Sequence, residues 1–240
     1  MTKRTLEPMR TDKLNVLTYN ISSGNKNESE ENVTIRMRVI AKMLLELDHL
    51  PDIISLLDVT VVGYQTLYKY LVGKYIVFQV FIDEKDKAGE VLLCLRETTE
   101  IPEGCQPYYY DLTTGKGRVV GTELFIKTLD LNINVLLTKL QNEAQFPLVL
   151  QVAQPLSNVL LIGDFLLDKE FDHNFSDAWI TMGCPSYLRE HRLARVLYDT
   201  GLDLTIERLT LLGTQVIKKT HEAPAAHLGL LATFQKKVYL

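Results

Sequence analysis

The segment Pro51-Asp52-Ile53-Ile54-Ser55-Leu56-Leu57-Asp58-Val59 constrains the fold more than any other stretch of the chain. From Asp52 to Val59 it has the length of a strand, and it is apolar on both faces until it closes on Asp58. Side chains of a strand alternate between two faces. A run that is apolar on both belongs to a strand covered on both sides. Other strand-length runs recur, and Leu14–Ile21 alternates. Strands are expected at Leu14–Ile21, Tyr75–Ile82, Glu90–Arg96, Val119–Lys127, Asn134–Leu140, Val159–Phe165, Arg192–Tyr198, Thr205–Leu212 and His227–Gln235. Helical spacing is rarer. Val33, Ile35, Met37, Val39, Ile40, Met43 and Leu44 mark an amphipathic helix over Asn32–Leu47, after a polar loop from Ser22 to Glu31. Further helices are expected over Thr60–Leu71, within Glu143–Leu156 up to Pro155, and briefly near Asp177–Gly183. Many strands with few helices imply an α+β fold. The expected architecture is a four-layer α/β/β/α sandwich of two packed mixed β-sheets flanked by helices. Residues 1–12 are polar and read as a flexible N-terminal tail, and residues 13–240 read as one domain without internal repeats.

Composition narrows the function classes. With 46% hydrophobic residues and a mean hydropathy near zero, the chain has material for a sizeable core. It contains no apolar run of transmembrane length, and Met1-Thr2-Lys3-Arg4 leads into polar residues rather than a signal-peptide core. No membrane association is expected. Cys94, Cys105 and Cys184 are scattered and form no Cys-x-x-Cys pair, which speaks against a zinc site or a disulfide framework. A reducing compartment, cytoplasmic or nuclear, is the expected location. Net charge is −4 and pI is near 5.8, so a broad nucleic-acid-binding coat is not expected. A small site that reads one phosphate remains compatible with that charge.

The strand ends carry the chemistry. They read Leu17-Thr18-Tyr19-Asn20-Ile21, then Leu56-Leu57-Asp58-Val59, then Leu137-Thr138-Lys139-Leu140, then Leu161-Ile162-Gly163-Asp164-Phe165-Leu166, and finally Pro224-Ala225-Ala226-His227-Leu228-Gly229. In order and spacing they resemble the endonuclease/exonuclease/phosphatase (DNase I-like) superfamily over roughly residues 14–236. Members of that superfamily show a Trp/Tyr-Asn strand end, a Pro-Asp-Ile…Gln-Glu-Val strand, a Thr-x-His-Leu segment, a Gly-Asp-x-Asn strand end and a terminal Ser-Asp-His. Ser176-Asp177-Ala178-Trp179, Met182-Gly183-Cys184-Pro185 and Arg192…Arg195-Val196-Leu197-Tyr198 further resemble the 5′-tyrosyl-DNA phosphodiesterase branch, which carries Asp-x-Trp, Gly-x-Pro and Arg-Phe-Asp-Arg in this order.

The resemblance implies a Mg²⁺-assisted phosphodiesterase site. Such a site must neutralise phosphoryl oxygens, orient a water and stabilise a leaving group. Asn20 and Asp58 match the metal-holding positions, with Asp58 one methylene shorter than the family Glu. Asp164 matches the residue that orients or activates the water, and His227 matches the phosphate-contacting His. Four positions depart. Lys139 replaces the family His, Leu166 the family Asn, Ala194 the Asp of Arg-Phe-Asp-Arg, and Ala226 the carboxylate that supports the terminal His. Losing several groups that act as a unit does not cost additively. The expectation is a degenerate homologue with hydrolysis weakened or lost and Mg²⁺ weak or lost, acting as a binding or structural module for nucleic-acid ends or a protein partner. The alternative is an active Mg²⁺-dependent phosphodiesterase or nuclease on nucleic-acid ends such as 5′-phosphotyrosyl DNA or RNA. A third reading is a phosphatase of a small phosphorylated molecule.

Each of these residues also has a plainer reading. Asp58 is placed to cap the following helix, Asn20 to close the turn into Ser22-Ser23-Gly24, and His227 to act as a hydrogen-bonded structural residue. Trp179 reads as core. Tyr108-Tyr109-Tyr110 reads as an edge-strand or loop feature, since adjacent residues cannot share one strand face. Thr114-Gly115-Lys116-Gly117 lacks P-loop spacing and reads as a hairpin turn. Lys218-Lys219 and Lys236-Lys237 read as solvated charges.

Overall fold

A computed structural model describes residues 12–25, 27–80, 88–112, 117–165, 174–184, 194–213, 217, 223–225 and 227–237. The expected tail apart from Asp12, the departures at Leu166 and Ala226, Thr114-Gly115-Lys116 and Lys218-Lys219 lie outside these residues.

In chain order the elements are β1 (Lys13–Asn20), α1 (Glu30–Leu45), β2 (Ile53–Thr60), α2 (Val61–Leu71), β3 (Tyr75–Val80), β4 (Ala88–Leu95), β5 (Thr99–Glu100), β6 (Tyr108–Asp111), β7 (Arg118–Ile126), β8 (Leu131–Lys139), a 3₁₀ turn (Glu143–Gln145) running into α3 (Phe146–Ala153), β9 (Val159–Asp164), β10 (Phe175–Asp177), α4 (Ala178–Thr181), β11 (Ala194–Asp199), β12 (Leu204–Leu212) and β13 (Gly229–Lys236). Among the described residues the strands form two mixed sheets. One has the order β12-β13-β1-β2-β4-β3, and the other β10-β11-β9-β8-β7-β5, with β6 added on β7. The inner pairs β1–β2 and β8–β9 are parallel, and each lies in the middle of its sheet.

Strand periodicity sorts the core into three layers. Leu14 and Val16 of β1, Ile53 and Leu57 of β2, Ile133, Val135 and Leu137 of β8, and Leu160 and Ile162 of β9 share the core between the sheets. Their alternating neighbours face outward. Leu17, Tyr19, Ile54 and Leu56 pack with Val33, Met37, Ile40 and Leu44 of α1 and Leu67 and Leu71 of α2. Leu136, Val159 and Leu161 pack with Phe146, Val149 and Ala153 of α3. The order of layers is therefore helices, sheet, sheet, helix, as a run of strands apolar on both faces requires.

The helices start where local chemistry allows. The Ser29 hydroxyl accepts the Asn32 amide at the head of α1, with Glu30 and Glu31 in its first turn and Lys42 in its last. Thr60 caps α2 by accepting the Gly63 amide at 3.0 Å. The cap of α2 is thus Thr60, not Asp58. The helix expected within Glu143–Leu156 is shorter than that span, because its first turn is 3₁₀ and Pro147 sits at the start of the α-helical part. Trp179 is buried between the sheets, as core. Tyr108–Asp111 forms a strand at the margin of the second sheet, paired with β7 only, and Tyr109 and Tyr110 are about half exposed.

Candidate active site

The inter-sheet core is apolar along most of its length and turns polar at one end. Asn20 lies two residues beyond Thr18 on the inner face of β1, Lys139 two beyond Leu137 on β8, and Asp164 two beyond Ile162 on β9. Each keeps the inward parity of its strand past the last apolar contact. The parallel pairing of β8 with β9 sets Lys139 beside Asp164, and the antiparallel pairing of β9 with β11 sets Asp164 beside Ala194. One row across three strands therefore reads Lys139, Asp164, Ala194. The position expected to carry a carboxylate in that row carries a buried methyl group instead.

Asp58 arrives by a different route. Between Leu56↔Val91 and Val59↔Gly89 the register of β2 on β4 shifts, so Leu57 and Asp58 together oppose Glu90. This is a β-bulge. Asp58 itself has φ +57°, a left-handed conformation that Asp tolerates better than most residues. The bulge has a visible consequence. Val59, which unbroken alternation would point between the sheets, packs on the helical side instead, and Asp58 reaches across to the other sheet. Its two oxygens accept from the Lys139 ammonium at 2.5 and 2.6 Å, with both side chains about one-quarter exposed.

A second cross-sheet contact lies beside the first. The Asn20 amide nitrogen donates to Asp164 Oδ2 at 2.7 Å, and Asn20 Oδ1 accepts the Ser22 amide at 3.0 Å. The two partners fix the amide orientation, since a flipped Asn20 would set its NH₂ against the Ser22 N–H. Asn20 thus does close the turn into the following loop while also reaching Asp164. The other Asp164 oxygen is buried without a hydrogen-bond partner. Burial lifts the Asp164 carboxyl above the ordinary range and the Asp58 charge lifts it further, while the Asn20 hydrogen bond, His227 and Lys139 oppose the rise. His227 lies just before β13, outside the strand expected over His227–Gln235, which begins at Gly229, and it is near enough to act on Asp164. Asn20, Asp58, Lys139 and Asp164 accordingly meet at one place, with His227 within electrostatic reach of Asp164.

Two members of this cluster are not among the residues that sequence reasoning singled out. Glu90 opposes the bulge, and burial raises its carboxyl pKa against the pull of Arg118 and Lys139. Arg118 begins β7. Both had a readable signal. Leu92 and Cys94 mark the inward face of β4, and Val120 and Leu124 that of β7, so the same parity turns Glu90 and Arg118 inward.

The motif residues Asp177 and Arg195 form a separate, buried pair. Arg195 Nη1 donates to Asp177 Oδ2 at 3.0 Å, while Asp177 Oδ1 accepts the Trp179 amide and so caps α4. Here the motif ties β10 to β11. Gly163, just before Asp164, has φ +142°, and a Cβ on it would lie 1.8 Å from the Thr138 carbonyl oxygen. Only glycine allows β9 to approach β8 so closely at the site.

No family model and no curated protein matches the sequence. Solved structures do match. D. rerio TDP2 complexed with a single-strand DNA product superposes with a TM-score of 0.75 at 16% identity, over 93% of this chain and 99% of that one. Truncated Caenorhabditis elegans TDP2 gives 0.73 at 18% identity, over 93% and 98%. The Bacteroides thetaiotaomicron mannosyl-6-phosphatase gives 0.70 at 14% identity, over 94% and 100%. The chain has the endonuclease/exonuclease/phosphatase fold. The TDP2 structures and the phosphatase share this fold with the chain. Two packed mixed sheets flanked by helices are the shared architecture, and the polar cluster described above lies at one end of it.

Proposed function

We propose that the chain is a degenerate homologue of Mg²⁺-dependent phosphodiesterases of the 5′-tyrosyl-DNA phosphodiesterase type, with hydrolysis weakened or lost, and that it acts as a binding or structural module. The observation that carries this reading is the ion pair between Lys139 and Asp58. In the resemblance, Asp58 is a metal-holding position and Lys139 stands in place of the family His of the Thr-x-His-Leu segment. Here the two neutralise one another.

The donor set does not fit a resident Mg²⁺. That ion takes hard oxygen ligands at about 2.1 Å in strict octahedral geometry. Both Asp58 oxygens are held by an ammonium, and the Asn20 oxygen is taken by a backbone amide. Among the described residues no group of three or more His, Cys, Asp or Glu is gathered to hold a metal ion. The unpartnered Asp164 oxygen and the neighbouring His227 are what remains of a water-orienting and phosphate-contacting apparatus. The partner of such a module is a nucleic-acid end or a protein. No described helix is long and apolar enough to cross a membrane. The three free cysteines fit a reducing compartment, cytosolic or nuclear.

The test is turnover. The parent protein, at high concentration with Mg²⁺, is expected to leave 5′-phosphotyrosyl, abasic and plain DNA intact. The triple variant Lys139→His, Leu166→Asn, Ala226→Asp is expected to gain cleavage. Efficient cleavage by the parent would overturn the reading. An active phosphodiesterase is the second reading, favoured by the convergence of Asn20, Asp164 and His227; it requires metal-dependent cleavage that disappears in Asp164→Asn.

A further inference from the structure

Three features bear on Lys139 and the carboxylates around it. Its ammonium bridges both oxygens of Asp58, the residue that a β-bulge and a left-handed backbone aim across the sheets. A second carboxylate, Glu90, stands opposite that bulge within electrostatic reach of Asp58 and Lys139, with one buried oxygen lacking a hydrogen-bond partner. Asn20 has turned its N–H groups, not its lone pairs, toward the carboxylate side of the cluster.

We propose that the Lys139 ammonium is the resident cation of this site: it takes the place of a divalent metal against Asp58, holds the acidic residues of the two sheets together and excludes Mg²⁺. For which position is the cation's place this rests on the proposed function, but it stands or falls separately from hydrolysis. An ammonium is a compact point charge and suits a position between carboxylates. It carries half the charge of Mg²⁺ and makes no demand for octahedral oxygen ligands. It is also covalently part of β8, so the site stays neutralised at any metal concentration. A divalent ion arriving at Asp58 would meet a positive charge within ion-pair distance and lose the carboxylate it needs.

The chain therefore differs from a merely weakened metal site in a testable way, since removing Lys139 should create metal binding instead of leaving it unchanged. The experiment titrates Mn²⁺ into the protein, following the free-ion electron paramagnetic resonance signal, and records the thermal midpoint with and without millimolar Mg²⁺. The parent is expected to show no saturable Mn²⁺ binding and no Mg²⁺-dependent rise in midpoint. Lys139→Ala, with Asp58 and Glu90 no longer neutralised, is expected to bind Mn²⁺ at least about tenfold more tightly than the parent and to gain a Mg²⁺-dependent rise. Adding Asp58→Asn to that variant should abolish both gains, and Lys139→Arg should stay metal-free. Saturable Mn²⁺ binding by the parent that is lost in Asp58→Asn overturns the proposal, and this measurement needs no folded Lys139 variant. A folded Lys139→Ala that binds no better than the parent overturns it as well. Cleavage of 5′-phosphotyrosyl DNA by the parent in EDTA would remove the proposed function and leave this proposal standing. Metal binding by an inert parent would do the reverse.

Discussion

Asp164 shows how a buried carboxylate with too few partners weighs on stability. It is almost wholly buried, one oxygen has no partner, and burial is the largest cause of its raised pKa. Glu90 is raised for the same leading reason. A carboxyl whose folded pKa lies above its unfolded one stabilises the fold fully below the unfolded value, about 4. That contribution is lost as pH rises through the raised folded value. Asp164→Asn keeps an oxygen for the Asn20 amide and removes the buried charge. Its thermal midpoint is expected to exceed the parent's at pH 7 and to converge with it near pH 4; a lower midpoint at neutral pH would count against this account of the site. The neighbouring glycine predicts the opposite sign. A methyl group at Gly163 collides with the Thr138 carbonyl, so Gly163→Ala should cost more than about 2 kcal/mol in chemical denaturation.

Elements position these residues through their ends. Arg36 lies on the buried face of α1, where its Nε and Nη2 donate to the two Glu28 oxygens at 2.6 and 2.7 Å. Its Nη1 donates to the carbonyls of Ile21 and Pro224 at 2.8 and 2.7 Å. One guanidinium thus joins the residue after Asn20 to the loop that leads to His227. Arg36→Met should cost about 3 kcal/mol, since it strands a buried Glu28 carboxylate, and hydrogen exchange should then quicken around residues 21–25 and 223–225 before it does in the strands. The Thr60 cap is a milder case: Thr60→Ala should cost about 1 kcal/mol, and a loss near zero in denaturant titration would show that the tertiary contacts of α2 suffice without the cap.

At the scale of the molecule, the two sheets are joined by an apolar core along their length and by polar contacts at one end. Asn20 with Asp164, and Asp58 with Lys139, each cross from one sheet to the other. The strands bearing them, β1, β2, β8 and β9, have a neighbour on both sides, and their inner and outer faces are both covered. Native-state hydrogen exchange should accordingly be slowest there and fastest in the margin strands β3, β12, β5, β6 and β10. Uniform protection across both sheets would contradict that ranking.

Strand and helix positions were legible in the chain because they follow from local periodicity. Asp52–Val59 read as a covered strand and Val159–Phe165 as a strand, and the outcome is β2 and β9 in the middle of their sheets. Thr60–Leu71 read as a helix, and the outcome is α2 with Thr60 as its cap. Short pieces such as Thr99–Glu100 and Phe175–Asp177 were not legible, because strands of that length exist only through the partner they pair with. The order of strand ends pointed to a common pocket for Asn20, Asp58, Asp164 and His227, and marked Lys139 as a departure. What Lys139 does there was decided only in three dimensions. Its ammonium meets Asp58 because a bulge turns one strand end toward another sheet, and no pattern within either strand encodes a distance between residues 58 and 139. Periodicity specifies which way a side chain faces; sheet packing specifies what it finds there.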